Sequence, residues 1–337
     1  MNGIIETYGY ARAGLLGNPS DGYFGKTISF AFTNFRARVL LYPSARLEMR
    51  LAKADLPIFE NLQDLYQTTR WRGYYGGIRI IQALIVRFID YCRENNIEIE
   101  ERNFSIEYES NIPQRLGLGG SSAIISAALD ALCQYHQISI PIQIRANLAL
   151  ETETKELGVP AGLQDRVAQA YGGLVYMDFS KHIMEKQGYG DYERMDPALL
   201  PKMYVAYRTS LSEGTEVFHN NVRERWRSGD PEIVEAMKTW GSYADRGRQA
   251  LLSRDYTSLN ELINANFDLR AKIYRISPGN LEMIETARKA GATANFAGSG
   301  GAIVGTFQDE SMFQNLEAAM KAIGVAVLRP NVSRNLQ

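Results

Sequence analysis

The stretch Arg115–Ala123, RLGLGGSSA, constrains this chain more than any other. A run rich in β-branched and aromatic residues, NFSIEYE, comes shortly before it, and an Ala- and Leu-rich run, SSAIISAALDALCQYH, closes it. The order is strand, glycine loop, helix. Glycines let a backbone approach an anion closely, and the first N–H groups of a helix lack intrahelical partners. With roughly half a positive charge at the helix start, this is a phosphate seat that needs no basic side chain. A plain helix N-cap is the alternative on this stretch alone.

Two familiar phosphate motifs are excluded. GKT at Gly25–Thr27 ends like a Walker A loop, but Ser20 stands where its first glycine belongs, and a strand pattern follows. Gly117, Gly119 and Gly120 do not fit the G-x-G-x-x-G spacing of a dinucleotide fold. Two further glycine-rich stretches flank well-patterned elements: ARAGLLGNPSDGYFG (Ala11–Gly25) and NFAGSGGAIVG (Asn295–Gly305). Three such loops in one chain predict a nucleotide and substrate site.

The 337 residues suffice for two domains with cores of their own, and the character of the chain changes near Pro197–Pro201. The division predicted is 1–198 and 199–337. Strands are expected over residues 4–16, 27–42, 103–109, 174–180 and 202–208. Helices are expected over 76–95, 121–136 and 141–158, and dominate from Thr215 to Arg275. Short strands near 292–296 and 302–307, a helix near 309–323 and a strand over 325–329 close the chain. The formal net charge of −1, without a basic block, gives no nucleic-acid surface. No signal peptide and no run long enough to span a bilayer is read. Cys92 and Cys133 read as reduced thiols of a cytoplasmic protein, and the three histidines show no metal-ligand spacing.

Helical spacing selects one carboxylate. At about 100° per residue, Ile142, Ala146, Ala149, Leu150 and Leu157 share a face with Glu153 in its middle. An inward carboxylate is costly unless paired or metal-bound. Glu151 falls nearly opposite, four residues before Lys155, as an ordinary surface pair. Asp165 lies in the first turn of a short helix with Leu163, Val167 and Ala170 as its apolar stripe; alone it reads as an acid complementing the helix dipole.

The three glycine-rich stretches, in this order, resemble the three motifs of the GHMP kinase superfamily, the second through its G-L-G-G-S-S-A core. From about Tyr8 to Arg329 the chain further resembles the glucuronokinase branch, through ARAGLLGNPSDGYFGKTIS, GYYGGIR, NIPQRLGLGGSSAIISAAL, AGLQDRVAQAYGGLVYMDFSKHIMEK and FAGSGGAIV. The resemblance implies an α+β fold of two domains, an N-terminal one like ribosomal protein S5 domain 2 and a C-terminal ferredoxin-like one. It implies ATP and Mg²⁺ as cofactors, a sugar acid as substrate, and a monomer or small homo-oligomer. Gly117, Leu118, Gly119, Gly120, Ser121, Ser122 and Ala123 would hold the ATP phosphates, and Ser122, favoured over Ser121, would share Mg²⁺ with Glu153. Asp165 occupies the catalytic-base position of G-x-x-D-R and Arg12 the first-motif arginine. Asp21, Asn18, Lys26 and Gly300 would contact the substrate. Galactokinases carry Glu-His where this chain has Asn18-Pro19, which puts galactose in doubt and points to that pair for specificity. A glucuronate carboxylate would want a cation: Lys26, Arg115 or Arg166, with Lys26 preferred because it directly follows the first motif. The aromatic cluster Trp71–Gly77 would stack adenine, pack on the sugar or cover a helix. Other GHMP kinases, of galactose, arabinose or heptose phosphates, and a non-catalytic sensor are the alternatives. The presence of both Glu153 and Asp165 argues against the sensor.

Overall fold

The computed structural model describes residues 3–50, 77–100, 102–209 and 216–333. Trp71–Gly76 of the aromatic cluster lie outside the described residues. The chain forms two compact units interleaved in sequence. One comprises Met1–Gly9, Arg36–Asn111 and Ser121–Ala161; the other comprises Tyr10–Phe35, Ile112–Gly120 and Gly162–Gln337.

In the first unit, Phe104–Ser110 pairs antiparallel with Ala37–Pro43 and parallel with Glu48–Arg50. The helices Gly77–Glu94, Gly120–His136 and Ile142–Glu151 accompany this sheet. The helix from Gly120 buries Ala123, Ile125, Ala127, Ala128, Ala131 and Leu132, so small and branched residues fill nearly its whole circumference. The third helix does not run unbroken to Gly158 as its pattern predicts. Its last turn, Thr152–Glu156, widens into a π-helical turn. Such turns are frequent at functional sites, and this one carries Glu153.

In the second unit, Lys26–Phe30 pairs antiparallel with Leu174–Asp178, which pairs with Asp191–Met195. A separate four-stranded sheet is built from Met203–Tyr207, Asn295–Phe296, Ala302–Thr306 and Ala326–Leu328. Numbered along the chain, these strands lie in the order 4-1-3-2, all antiparallel, with helices in both crossovers. This is the ferredoxin-like arrangement, and the whole is α+β as expected. Tyr204, Phe267, Met283, Leu316 and Met320 form the core beneath that sheet. The helices Pro231–Ser253, Tyr256–Ile273 and Glu310–Ala322 each start at an aspartate (Asp230, Asp255, Asp309) whose side chain accepts an otherwise orphaned N–H. Trp240, wholly buried, donates its indole N–H to the Asn266 carbonyl at 3.1 Å. Its burial is worth about 2–3 kcal/mol. Among the described residues no helix is long and apolar enough to cross a membrane.

Candidate active site

Strand Ile5–Leu16 is buried on both faces from Ala11 onward. A charged side chain can stand there only if fully paired, and Arg12 is. Its Nε and Nη2 meet Asp165 Oδ1 and Oδ2 at 2.6 Å each. Its Nη1 donates to the carbonyls of Gly117 at 2.6 Å and Ala297 at 2.7 Å. One guanidinium thus joins all three glycine-rich stretches to the first turn of helix Leu163–Tyr171. Asp165 is held by a bidentate pair and still has a side chain 21% exposed. That helix buries Ala168, with Ala170 only partly covered, and also Gln164 and Arg166. Arg166 donates to the Gly162 carbonyl at 2.9 Å and stands 3.5 Å from Asp165.

The phosphate loop is oriented by its carbonyls. Gly117 O accepts from Arg12 Nη1, Leu118 O from the Arg12 N–H at 3.1 Å, and Gly119 O from Gln169 Nε2 at 2.7 Å. In a trans peptide the following N–H points opposite to its carbonyl. The N–H groups of Leu118, Gly119 and Gly120 are therefore directed away from Arg12 and Gln169, as an anion cradle requires. Gly117 and Gly119 have φ of +62° and +74°, the left-handed region glycine allows. A Cβ at Gly117 would come within 2.6 Å of Ser299 N, and one at Gly298 within 2.2 Å of Gly117 O. The second and third stretches touch backbone to backbone, which only glycine permits.

Helix Gly120–His136 continues from this loop and presents Ser121, whose Oγ donates to Glu153 Oε1 at 2.7 Å. Glu153 is 3% exposed, as its place in the apolar stripe predicts; Ser122 and Ala123 are fully buried. A hydroxyl beside a carboxylate is a hard-oxygen pair of the kind Mg²⁺ takes when phosphates complete its shell. Among the described residues no group of three or more His, Cys, Asp or Glu forms a self-sufficient metal site. Glu151 pairs with Lys155 at 2.7 Å, as its spacing predicts, and also with Arg87 at 2.8 Å.

Asp21 lies in the short 3₁₀ turn Ser20–Tyr23, and its Oδ2 accepts from Gln164 N at 3.3 Å. It packs on Gly162, where a Cβ would come within 2.1 Å of Oδ2. Burial and the neighbouring Asp165 push its carboxyl up to about 6.

Two sequence candidates are placed otherwise than expected. Lys26 Nζ stands 3.2 Å from Asp178 and 3.0 Å from Asp245. Burial works against its charge, but hydrogen bonds to these two carboxylates outweigh burial and hold its proton more tightly than usual. The cavity beside these two carboxylates, about 440 Å³, is lined by Asp178, Asp191, Glu193 and Asp245 together with Arg246 and Arg248. Because Asp178 and Asp245 already take up its ammonium, Lys26 is poorly placed to serve as the substrate cation. Asn18 is 3% exposed, and its carboxamide is taken up inside the protein. Nδ2 donates to Phe296 O at 2.9 Å, and Oδ1 accepts from Asn295 at 3.2 Å. Asn18 fastens the first stretch to the third instead of facing a sugar. Gly300, with φ +137°, forms a turn whose next amide donates to Asn280 at 2.8 Å. Arg115 adopts φ +60° at the loop entrance.

Nothing in the sequence pattern singles out Gln169, which holds Gly119 O, or Arg270, which is buried near Phe296. Gln169 lies one helical turn after Asp165, an i,i+4 relation that is its only local signal. Arg270 carries no local signal.

Comparisons with known proteins bear on the family and the fold. Residues 83–173 match the family model for the GHMP kinases N terminal domain, and residues 248–326 match the model for GHMP kinases C terminal. The chain is 48% identical over 306 residues to Glucuronokinase 1 of Arabidopsis thaliana, covering 89% of this chain and 84% of that one. It is 24% identical over 272 residues to D-glycero-alpha-D-manno-heptose 7-phosphate kinase of Campylobacter jejuni, covering 76% and 75%. Its fold matches Lactococcus lactis galactokinase complexed with galactose at TM-score 0.76 and 17% identity, over 98% of this chain and 93% of that one. With matches across both halves and a curated relative spanning nearly its whole length, the chain belongs to the GHMP kinase family.

Proposed function

We propose that this protein is an ATP-dependent sugar kinase whose substrate is D-glucuronate. The γ-phosphoryl group of ATP passes to the anomeric hydroxyl, giving D-glucuronate 1-phosphate and ADP. The observation that carries the reading is Arg12, whose side chain binds Asp165, Gly117 O and Ala297 O at once. The substrate follows from the 48% identity to an Arabidopsis glucuronokinase.

In this reading the N–H groups of Leu118, Gly119 and Gly120 and the helix start behind them hold phosphate oxygens. Asp165 orients the anomeric hydroxyl and takes its proton as the new O–P bond forms and the bond to ADP breaks. The transition state of such transfers is loose, so orientation contributes more than basicity. Arg12 keeps Asp165 fixed and offsets its charge, and Asp21 binds a sugar hydroxyl. Ser121, in preference to Ser122, and Glu153 would hold Mg²⁺, which neutralises phosphate charge when bound. The assignment of 1–198 and 199–337 as two domains belongs to the same proposal. It is supported by the ferredoxin-like sheet, whose strands all come from residue 203 onward. So does a cytoplasmic setting, in which Cys92 and Cys133, both buried and unbridged, remain thiols.

The test is ADP release from ATP and Mg²⁺ with a panel of sugars. Fastest turnover is expected with D-glucuronate. Little ADP with glucuronate beside rapid turnover of galactose, arabinose or a heptose phosphate would sink the substrate assignment.

A further inference from the structure

Four arginines are more than nine-tenths buried among the described residues: Arg12, Arg87, Arg166 and Arg270. Three of them face carboxylates. Arg12 meets Asp165 at 2.6 Å, Arg87 meets Glu94 and Glu151, and Arg166 lies 3.5 Å from Asp165. Arg270, 3% exposed, makes no salt bridge among the described residues, and its Nη1 is buried with no hydrogen-bond partner. An unpaired buried charge is destabilising, and protein interiors ordinarily avoid it.

The surroundings of Arg270 bear on what would satisfy it. It lies in the last turn of helix Tyr256–Ile273. Its guanidinium carbon sits 5.0 Å from the ring centre of Phe296 and 5.5 Å from that of Tyr274. Phe296 precedes Ala297, whose carbonyl Arg12 holds. One turn earlier on the same helix, Asn266 bonds the Gly17 N–H at 2.8 Å and the Asn18 carbonyl at 3.0 Å. The helix therefore stands against the first glycine-rich stretch through Asn266, and Arg270 itself stands against the third through Phe296. Burial is the largest influence on its charge and disfavours it; Tyr274, then Asp21 and Tyr23, act in the opposite sense. The guanidinium is thus flanked by two aromatic faces and left with an unpartnered Nη1.

We propose that Arg270 receives the carboxylate of the sugar acid. The inference rests on the reading of the protein as a glucuronate kinase, and it names the cation that reading requires. A planar guanidinium matches a carboxylate bidentately, which an ammonium cannot do. A neutral hexose would leave the buried charge unpaired, so the residue discriminates by penalising the wrong substrate as well as by binding the right one.

The test compares D-glucuronate with D-glucuronamide, which keeps the ring and removes the charge. It uses the full chain, Arg270→Met and Arg270→Lys, with ADP binding and thermal melting recorded for each. The wild type should prefer glucuronate by about 10²–10³-fold in kcat/KM. Arg270→Met should lose most of that preference through the sugar KM, with the ATP KM unchanged. Arg270→Lys, which keeps the charge and loses the fork, should retain part of it. If Arg270→Met does not fold, Arg270→Lys carries the test, with a preference reduced about tenfold. A wild type active on glucuronate whose folded variants keep the full preference overturns the Arg270 assignment and leaves the kinase reading standing. A wild type inert toward glucuronate overturns both.

Discussion

Replacing Asp21 by asparagine should stabilise the unliganded protein at neutral pH while impairing catalysis. Asp21 is pushed up to about 6 from a usual 3.8, by burial first and then by Asp165. Its ionised form is therefore less favourable folded than unfolded. Between about pH 4 and 6 the folded state binds more protons, so stability falls as pH rises through that window, and the loss is complete above it. A shift of about two units at 1.36 kcal/mol each corresponds to about 3 kcal/mol at pH 7.5. Asparagine keeps an oxygen to accept from Gln164 N and removes the charge. The assay is thermal unfolding of wild type and Asp21→Asn from pH 4 to 8 without ligands, with the difference between the two taken at each pH. That difference cancels titrations common to both. The variant should melt several degrees higher at pH 7.5, on the order of 5 °C, and the gap should close toward pH 4. Its sugar KM should rise, because a proposed ligand has been weakened. A variant equally stable at pH 7.5, or a gap that does not change with pH, refutes the account of Asp21.

Two further substitutions separate the parts of the site. Asp165→Asn keeps a side chain that can bond Arg12 but cannot take a proton; turnover should drop about 10²–10⁴-fold with ADP binding retained in calorimetry, and undiminished turnover would remove Asp165 from the mechanism. Gln169→Met loses the donors that hold Tyr10 O and Gly119 O; ATP affinity should weaken about tenfold while the sugar KM stays put, and an unchanged ATP affinity would show that the loop orients itself.

What could be read in the sequence follows the range of the interactions. Glu153 was legible because a helix writes its faces into local spacing, and the structure buries it. The π-helical turn that carries it was not, since it differs from an α-turn by one residue of register. Strand Asp191–Met195 went unread because only Met195 is buried, so it has no apolar alternation; the charged helix Lys181–Gln187 buries nothing at all. Lys26 looked like a substrate cation because Asp245, which helps neutralise it, lies on a distant helix. Asn18 looked like a sugar contact because the bonds that fix it inside come from Asn295 and Phe296, far along the chain. Arg270 could not be distinguished from any other helical arginine, since burial and the lack of a partner are properties of the folded chain.

Arg12 also couples the loops mechanically. Because one side chain closes the loops at Gly117 and Ala297 and fixes Asp165, these segments cannot open one at a time without leaving a buried guanidinium short of partners. They form a single cooperative unit. The loops are already tied together by these bonds, so in the proposed reading little of the nucleotide's binding free energy would go to ordering the cradle. A lesion in any one loop is felt in the other two, however far apart they stand in the chain.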